Sequence, residues 1–487
     1  MSATELDLLV SGALRIARVI QKRTSVLHHG DYASDTPDFL AQLIERAASH
    51  AERRLMALRT SGYDPAASCD TARVWFAYLR DMYRHLRFVE RATVRRTPWS
   101  LVKPFEELAE RLHAGARFLI RPQWGYNYGI VELVHHYRRV LSASGTKEDL
   151  GRIFRGIPKR LYVTSFAGVE RLNAPLHVVL GHEVAHPIEN QYFSRVRRTE
   201  GAVLARALER LLDREPDCLD KEKLPKTSRT IKTIAELRKN ALRELMCDHA
   251  CVVLFGPAAL FAFEELGRLL GFDTFTRDDH HPPWRYRLRH ALELLPKPRV
   301  DSYLRRCGLP RDVRASVLNR CQRIQDLTDD DTDLQALREH VDTDIAYELV
   351  RESLPKVRRC ITGRLANSHL TLSNLPTTGV RELVERLEGG ILPNEYWVAV
   401  SPDEVPTTSW RERKPIPADL RAILISAAID RTHRLPSAFI SGTTQEAVDD
   451  YHDKCHCADR LVLRAIECSH LQLHYPGGDS GHGDTDG

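Results

Sequence analysis

Residues 182–186 read His-Glu-Val-Ala-His, a spacing that could support metal-dependent hydrolysis. On a helix, His182 and His186 lie about 40° apart on one face, and Glu183 lies within about 100° of both. Two neutral imidazoles can bind a zinc ion, and a carboxylate beside them can take a proton from a metal-bound water. The pattern also arises by chance, so a zinc site requires a third ligand elsewhere in the chain.

Two carboxylates further along the chain have the spacing that such a ligand needs. Glu244 and Asp248 are four residues apart, which places them one turn apart on the same helix face. A pair of this kind often belongs to a solvated face, but the apolar neighbours at 251–255 predict a buried helix, where carboxylates are expected to be paired or metal-bound. Glu189 is a rival third ligand, although neighbouring turns of one helix close a tetrahedral site poorly.

A third motif, HPPWRYRL at residues 281–288, follows the two carboxylates. HExxH, ExxxD and this segment, in this order, resemble the HtpX-like and CAAX prenyl protease family of gluzincin zinc metallopeptidases, whose third motif is THPPxxxRI. The resemblance covers roughly residues 160–295. The metzincin alternative is excluded, because its longer motif needs Gly at 189 and His at 192, where this chain has Glu189 and Tyr192.

The family resemblance implies a role for each residue that matches the first two motifs. His182, His186 and Glu244 would bind one zinc ion per chain, which leaves an open position for water. Glu183 would act as the general base and later as the proton donor. Asp248 would orient a ligand histidine by accepting its second N–H.

Two residues of the third motif have roles that stay open at the level of sequence. His281 could donate a hydrogen bond to the transition state, or it could cap a surface turn. Pro282 and Pro283 stiffen a turn into a helix. Arg287 lies one turn into that helix, where it could brace the turn or a carboxylate.

The chain departs from the membrane-bound members of this family. It has no run of about 18 apolar residues without charge. The nearest approach, residues 245–263, contains polar residues and a Gly256-Pro257 break, and therefore predicts a pair of core helices. Pro187 directly follows the second histidine and predicts that the active-site helix kinks or ends near that point.

Composition predicts a soluble, cytoplasmic protein of two to four domains. The chain has 487 residues, of which 43% are hydrophobic and 28% charged. Its first twenty residues lack a signal pattern, and its ten cysteines have no framework spacing, which fits free thiols in a reducing compartment. A net charge of +5, from 71 basic and 66 acidic residues, gives no case for nucleic acid or membrane as partner. The expected partner is a protein or peptide substrate.

The apolar patterning predicts a mainly α protein with an α+β zincin core. We expect helices over 1–115, the metallopeptidase core over 116–295, and a further helical region over 296–385. A mixed α/β region is expected over 386–476, followed by a disordered tail over 477–487. No internal repeat is present.

Two strand-like segments, 117–120 and 160–166, are predicted in the core, and amphipathic helices are expected from Thr36 and over 71–97. In zincins an edge strand beside the active-site helix binds extended substrate by strand addition, and the second segment is placed to be that strand. The predicted substrate-binding residues are Leu161, Tyr162, Val163 and Thr164. A further strand is predicted over 396–400.

A cluster of soft ligands near the C-terminus leaves a second metal site open. Its members are His452, Cys455, Cys457, Cys468 and His470. The Cys-x-Cys spacing fits no common zinc module and the segment has a helical pattern, which favours ordinary buried thiols. The acidic run 329–333 resembles the start of a calcium loop but lacks the Gly and the Glu that such a loop needs, so it is interpreted as a helix N-terminus.

These observations predict a soluble zinc endopeptidase that is gated and selective for a protein substrate. Gating is expected because the mass outside residues 116–295 is the material available to cover an open zinc site. The alternative is a non-hydrolytic zinc-stabilised scaffold or a regulatory sensor. Glu183 favours the enzyme, because zinc binding alone does not require it. A membrane-bound processing protease is disfavoured by the absence of long apolar runs.

Overall fold

The protein is mainly helical, as the sequence predicts, with two small β-sheets among the residues described. The computed structural model describes residues 3–28, 30–60, 65–142, 147–188, 192–193, 200–220, 222–273, 281–329, 335, 337–399, 413–434 and 444–474. The chain divides into two compact units, Met1–Arg171 and Leu172–Gly487. Each unit has its own set of helices and is described separately.

The first unit combines helices with a three-stranded sheet. Its helices are α1 (Ala3–Leu27), α2 (Thr36–Thr60), α3 (Pro65–Arg91), α4 (Trp99–Leu112), α5 (Leu133–Ser142) and α6 (Lys147–Ile153). Its strands are β1 (Ala116–Gln123), β2 (Gly129–Glu132) and β3 (Arg160–Ala167). A 3-10 helix over Gly168–Glu170 ends the unit.

Helices α1, α2 and α3 pack against one another around an apolar core. The helix predicted to start at Thr36 does so, with Pro37 in its first turn, where the missing N–H costs nothing. Its apolar residues Leu40, Leu43 and Ile44 recur at helical spacing and are fully buried. The helix predicted over 71–97 is α3, which begins and ends about six residues earlier than expected.

The sheet has the strand order β1-β3-β2, so β3 lies in the centre. It pairs in parallel with β1 and antiparallel with β2. Leu119, Leu161 and Val163 join the same apolar core as the three helices. These strands are buried against helices that precede them in the chain. The region predicted as one core over 116–295 is therefore divided by the boundary between the two units, which lies between Arg171 and Leu172.

The second unit is built from helices with one two-stranded sheet in its described part. Its helices are α7 (Leu180–Glu183), α8 (Glu200–Arg214), α9 (Leu224–Phe255), α10 (Pro257–Leu270), α11 (Trp284–Leu294), α12 (Lys297–Arg306), α13 (Arg311–Asp329), α14 (Val341–Ala366), α15 (Val380–Glu388), α16 (Leu420–Arg434) and α17 (Gln445–His474). Its strands are β4 (Glu395–Ala399) and β5 (Arg413–Pro417), and its 3-10 helices span Ala174–Val179, Pro216–Leu219 and Leu372–Asn374. Strand β4 is the strand predicted near 396–400.

The long helix α9 is the central element of the second unit and packs against α7, α11 and α14. It ends at Gly256, whose φ of 53° lies in the region that favours glycine. Pro257 then begins α10, so the predicted break within residues 245–263 is present. Among the helices described, none is both long enough and apolar enough to cross a membrane.

Three predictions fall wholly or partly outside the described residues. The acidic run 329–333 begins at Asp329, the last residue of α13, and its other members are not described. Val400, the last residue of the strand predicted over 396–400, and the predicted disordered tail 477–487 also lie outside them.

Candidate metal centre

The segment that carries the two histidines is helical but not one continuous α-helix. A 3-10 helix over Ala174–Val179 leads into α7, and a turn at residues 184–185 follows. In that turn Ala185 N–H donates to the His182 carbonyl at 3.0 Å, three residues back. Pro187 has no N–H to donate to the Glu183 carbonyl, so the helix is interrupted at residues 184–185, and helical backbone resumes at residues 186–188.

Helix α7 lies against α9 where a glycine allows close contact. Gly181 directly precedes His182, and a β-carbon placed on it would lie 2.6 Å from Phe255 Cε2. The Phe255 ring is fully buried and cannot move aside without disturbing the core. The absence of a side chain at 181 therefore brings the histidine segment close to the helix that carries Glu244 and Asp248.

The three predicted zinc ligands converge in the structure. The rings of His182 and His186 are 5.0 Å apart between centroids and nearly perpendicular, at 82°. Glu244 Oε2 lies 3.4 Å from His182 Nε2, and Glu244 Oε1 lies 4.0 Å from His186 Nε2. All three side chains are largely buried, which suits a metal site better than a solvated ion pair. The predicted rival Glu189 lies outside the described residues.

Asp248 contacts His182, one of the two histidines predicted to bind the metal, as the sequence predicts. Its Oδ1 accepts a hydrogen bond from His182 Nδ1 at 2.9 Å, since an ionised carboxylate can only accept. This bond places the proton on Nδ1 and leaves the Nε2 lone pair directed toward the side of Glu244. Although burial raises it, the charge of Arg287 and the bond to His182 hold the pKa of Asp248 below its ordinary value.

Arg287 holds Asp248 in place through two parallel hydrogen bonds. Its Nε donates to Asp248 Oδ2 at 2.8 Å and its Nη2 donates to Asp248 Oδ1 at 2.7 Å. Its Nη1 also lies 3.5 Å from Glu244 Oε2, and its guanidinium lies 4.1 Å from the centre of the Trp284 ring. Of the two roles left open for Arg287, bracing a carboxylate is the one that the geometry supports.

Glu183 is buried beside the two histidines with one oxygen unpaired. The residue is 4% exposed, and its Oε2 has no hydrogen-bond partner in the described structure. That oxygen lies 3.9 Å from His186 Nε2. Burial raises the pKa of Glu183 above its ordinary value, which suits a group that must take up a proton and release it again. An unpaired buried carboxylate oxygen requires a polar partner, and a water molecule at this position would supply one.

His281 lies at the solvent-exposed edge of the same site. Its side chain is 61% exposed, and its Nδ1 lies 3.4 Å from Glu244 Oε1. This ring is therefore close enough to the predicted ligands to meet a bound substrate. Its role as a hydrogen-bond donor to the transition state stays a prediction.

Cys247 also lies close to the two histidines, a position that the sequence motifs do not predict. One ligand atom each of His182, His186 and Cys247 lies within 4.8 Å of the other two. Cys247 is fully buried and lies three residues after Glu244 on α9, so both residues face α7. The available signal was this spacing, because a cysteine one turn from a proposed ligand can reach the same ion. Thiolate is a preferred zinc ligand.

The predicted substrate-binding strand is wrong in one respect. Residues 161–164 do lie on a strand, but β3 is bonded on both sides, to β1 and to β2. Tyr162, Val163 and Thr164 each have a partner in both neighbouring strands, and Leu161 pairs with Arg117. Strand addition requires a free edge with unpaired N–H and C=O groups. Substrate therefore cannot add to Leu161, Tyr162, Val163 and Thr164 in the manner predicted.

The second cluster of soft ligands does not form a site in the described residues. His452, Cys455, Cys457, Cys468 and His470 all lie on the single helix α17. Because a helix rises about 1.5 Å per residue, the first and last of them are separated by about 27 Å along its axis. No candidate ligand group within the described ranges unites them. None of the ten cysteines forms a disulfide bond in the described structure.

Comparison of the chain with protein-family models, with curated proteins and with solved structures finds no match.

Proposed function

We propose that this protein is a zinc-dependent endopeptidase with a gluzincin-type α+β catalytic core. The observation that carries the proposal is the unpaired, buried Oε2 of Glu183 next to His182, His186 and Glu244. A structural zinc site has no use for this oxygen, whereas a hydrolytic site needs it to activate water. The donor set of two imidazoles and one carboxylate fits zinc and leaves room for a water molecule.

In the proposed reaction each of these side chains has one task. When bound by His182, His186 and Glu244, zinc would polarise the scissile carbonyl and make water more acidic. Glu183 takes a proton from the attacking water as the new C–O bond forms. It then transfers that proton to the amine nitrogen, and the peptide C–N bond breaks. Asp248 keeps His182 in the tautomer that presents Nε2.

The metal can be tested directly on the full-length protein. We expect about one zinc per chain, and we expect the His182→Ala, His186→Ala double variant to lose it, because only one of the three predicted ligands would remain. His249→Gln is the matched control: His249 is equally buried on α9, but its Nε2 contacts Thr362 Oγ1 at 2.9 Å. Elemental analysis after dialysis measures the content. Full zinc occupancy in the double variant contradicts the assignment.

A second candidate, a non-hydrolytic zinc-stabilised scaffold, is favoured by the position of Cys247. If its thiolate joined His182, His186 and Glu244, four protein ligands would close the coordination shell and leave no place for water. Closed four-ligand shells are typical of structural zinc, and open three-ligand shells are typical of hydrolases. The two functions therefore differ in whether the Cys247 sulfur atom binds the metal.

Replacing zinc with Co²⁺ distinguishes the two coordination shells. For the enzyme we expect a cobalt spectrum without an intense near-ultraviolet thiolate charge-transfer band, and Cys247→Ser should change the metal affinity little. The matched control is Cys251→Ser, one turn further along α9, whose Sγ donates to the Val178 carbonyl at 3.2 Å. A strong charge-transfer band that Cys247→Ser removes and Cys251→Ser retains would establish the closed, structural site.

Selectivity for a protein substrate, gating by the flanking helices and a cytoplasmic location stay predictions. Strand addition to β3 does not contribute to that selectivity, since β3 lies between β1 and β2. The exposed ring of His281 is the described side chain at this site that is best placed to meet a substrate.

A further inference from the structure

A buried arginine in the first unit has no negatively charged partner among the residues that the structure describes. Arg121, on β1, is 8% exposed, and its Nε has no hydrogen-bond partner in the described structure. Its Nη1 donates only to the carbonyl of the adjacent Pro122, at 3.3 Å. A guanidinium group remains protonated in proteins and has five N–H donors to satisfy. Arg121 therefore carries a buried charge without an acid to balance it.

The charge of Arg91 acts on Arg121 and has the same sign. Arg91, at the end of α3, acts together with burial to lower the pKa of Arg121 to about 10. Glu90 is next to Arg91 in sequence, but its carboxylate lies 3.5 Å from Arg23 Nη1. Two neighbouring cations repel each other, and no anion among the described residues lies between these two. The positive charge of Arg121 and Arg91 is therefore left uncompensated in the folded chain.

An aromatic ring compensates this charge only in part. The Arg121 guanidinium lies 4.0 Å from the centre of the Phe88 ring. A cation–π contact of this kind contributes about 1–2 kcal/mol, whereas leaving a charge buried without a partner costs several. Phe88 and Arg91 are one turn apart on α3, so the ring and the second guanidinium both face β1. Two positive charges and an aromatic ring therefore lie on the same side of β1.

An exposed tryptophan lies beside Arg91. Trp124 follows directly after β1 and is 86% exposed. The Arg91 guanidinium lies 5.7 Å from the centre of its indole ring. Base stacking on an exposed aromatic face of this kind is worth about 1–3 kcal/mol.

We propose that Arg121 and Arg91 bind the phosphate group of a small ligand whose aromatic ring stacks on Trp124. A mononucleotide has this chemistry. Planar guanidinium groups match the oxygens of a phosphate through paired N–H donors, and the phosphate supplies the negative charge that Arg121 lacks. The site lies entirely within the first unit, so it is independent of the metal centre and of the proposed peptidase activity.

Binding can be measured on the full-length protein by calorimetry and by thermal unfolding. Inorganic phosphate at millimolar concentration is expected to bind once per chain and to raise the Tm of the wild type. Arg121→Met keeps an apolar stem against Phe88 and removes the charge, so it should weaken phosphate binding about tenfold or more. It should also raise the Tm in phosphate-free buffer, because an unpaired buried charge is gone.

Two further variants keep the experiment decisive. Arg117→Met, four residues earlier on β1, is the matched control, because Arg117 already pairs with Glu110 at 2.8 Å. It should bind phosphate as the wild type does. Arg91→Gln, at a partly exposed position, gives the same loss as Arg121→Met and decides the question if the latter fails to fold.

The stacking part of the proposal has its own comparison. Adenosine monophosphate should bind several-fold more tightly than ribose 5-phosphate, and Trp124→Ala should remove that difference. Equal affinity for the two ligands overturns the role of Trp124. A wild type that does not respond to phosphate, or an Arg121→Met variant that responds equally well, overturns the anion site.

Discussion

Glu183→Gln is expected to leave zinc binding intact and to lower turnover at least about a hundredfold. The amide keeps the size of the side chain but cannot take a proton from water. We expect His182, His186 and Glu244 to keep their places, because the substitution preserves the shape of the side chain and no hydrogen bond of the Glu183 Oε2 is lost in the described structure. The change therefore separates the chemistry from the metal. Zinc content by elemental analysis and peptide cleavage in a complex proteome digest by mass spectrometry are the two measurements.

The control for this experiment is a surface glutamate of the same unit. Glu293 lies on α11, pairs with Arg358 at 2.7 Å and has no contact with the metal ligands. Glu293→Gln should retain both zinc and cleavage. Cleavage by Glu183→Gln at the wild-type rate would refute the mechanism, even if every ligand assignment were correct.

Arg287→Met is expected to cause the largest loss of stability, about 3–5 kcal/mol in the free energy of unfolding. Asp248 is 2% exposed and accepts two hydrogen bonds from Arg287, at 2.8 and 2.7 Å. Removing the guanidinium leaves a buried carboxylate whose remaining donor is His182. The same change should weaken zinc binding about 10–100-fold, because His182 loses a fixed acceptor for its Nδ1–H. Urea unfolding and competition with a chelator measure the two effects.

A double-mutant cycle shows whether the loss comes from the unpaired charge. Asp248→Asn combined with Arg287→Met removes both charges, so it should cost less than the sum of the single variants. Arg289→Met is the matched control two residues later on α11, where the guanidinium donates to the Thr328 carbonyl at 2.8 Å and is only partly buried. Its expected cost is about 1 kcal/mol. Equal losses for Arg287→Met and Arg289→Met would mean that the Asp248 pair has no special weight.

The sequence predicts the contents of the candidate site better than its surroundings. Glu244 and Asp248 share a helix face because residues four apart lie one turn from each other. The three motifs in their order indicate that these carboxylates lie near His182 and His186. Arg287 reaches Asp248 in the structure, but periodicity alone could not choose between a turn and a carboxylate as its partner. The sequence does not identify Cys247 as a neighbour of the histidines, because a single cysteine in an apolar helix is usually a buried core residue.

The sheet shows what local sequence does not contain. Residues 160–166 have a strong strand pattern, and β3 forms where expected. Whether a strand lies at an edge depends on its neighbours, and β2 is only four residues long, Gly129–Glu132, with no pattern that marks it. The assignment of β3 to the first unit likewise depends on long-range packing of Leu161 and Val163 against helices about a hundred residues earlier in the chain.

The contact at Gly181 limits which natural variants of this protein can exist. Alanine normally favours a helix over glycine by about 1 kcal/mol, so a random change at 181 would seem harmless or beneficial. Here its methyl carbon would meet the Phe255 ring at 2.6 Å, and the two helices would have to separate. The distance between His182 and Glu244 would grow with them. Residue 181 binds no metal itself. Related chains that keep the site should nevertheless have a residue other than glycine at 181 only if residue 255 is smaller than phenylalanine.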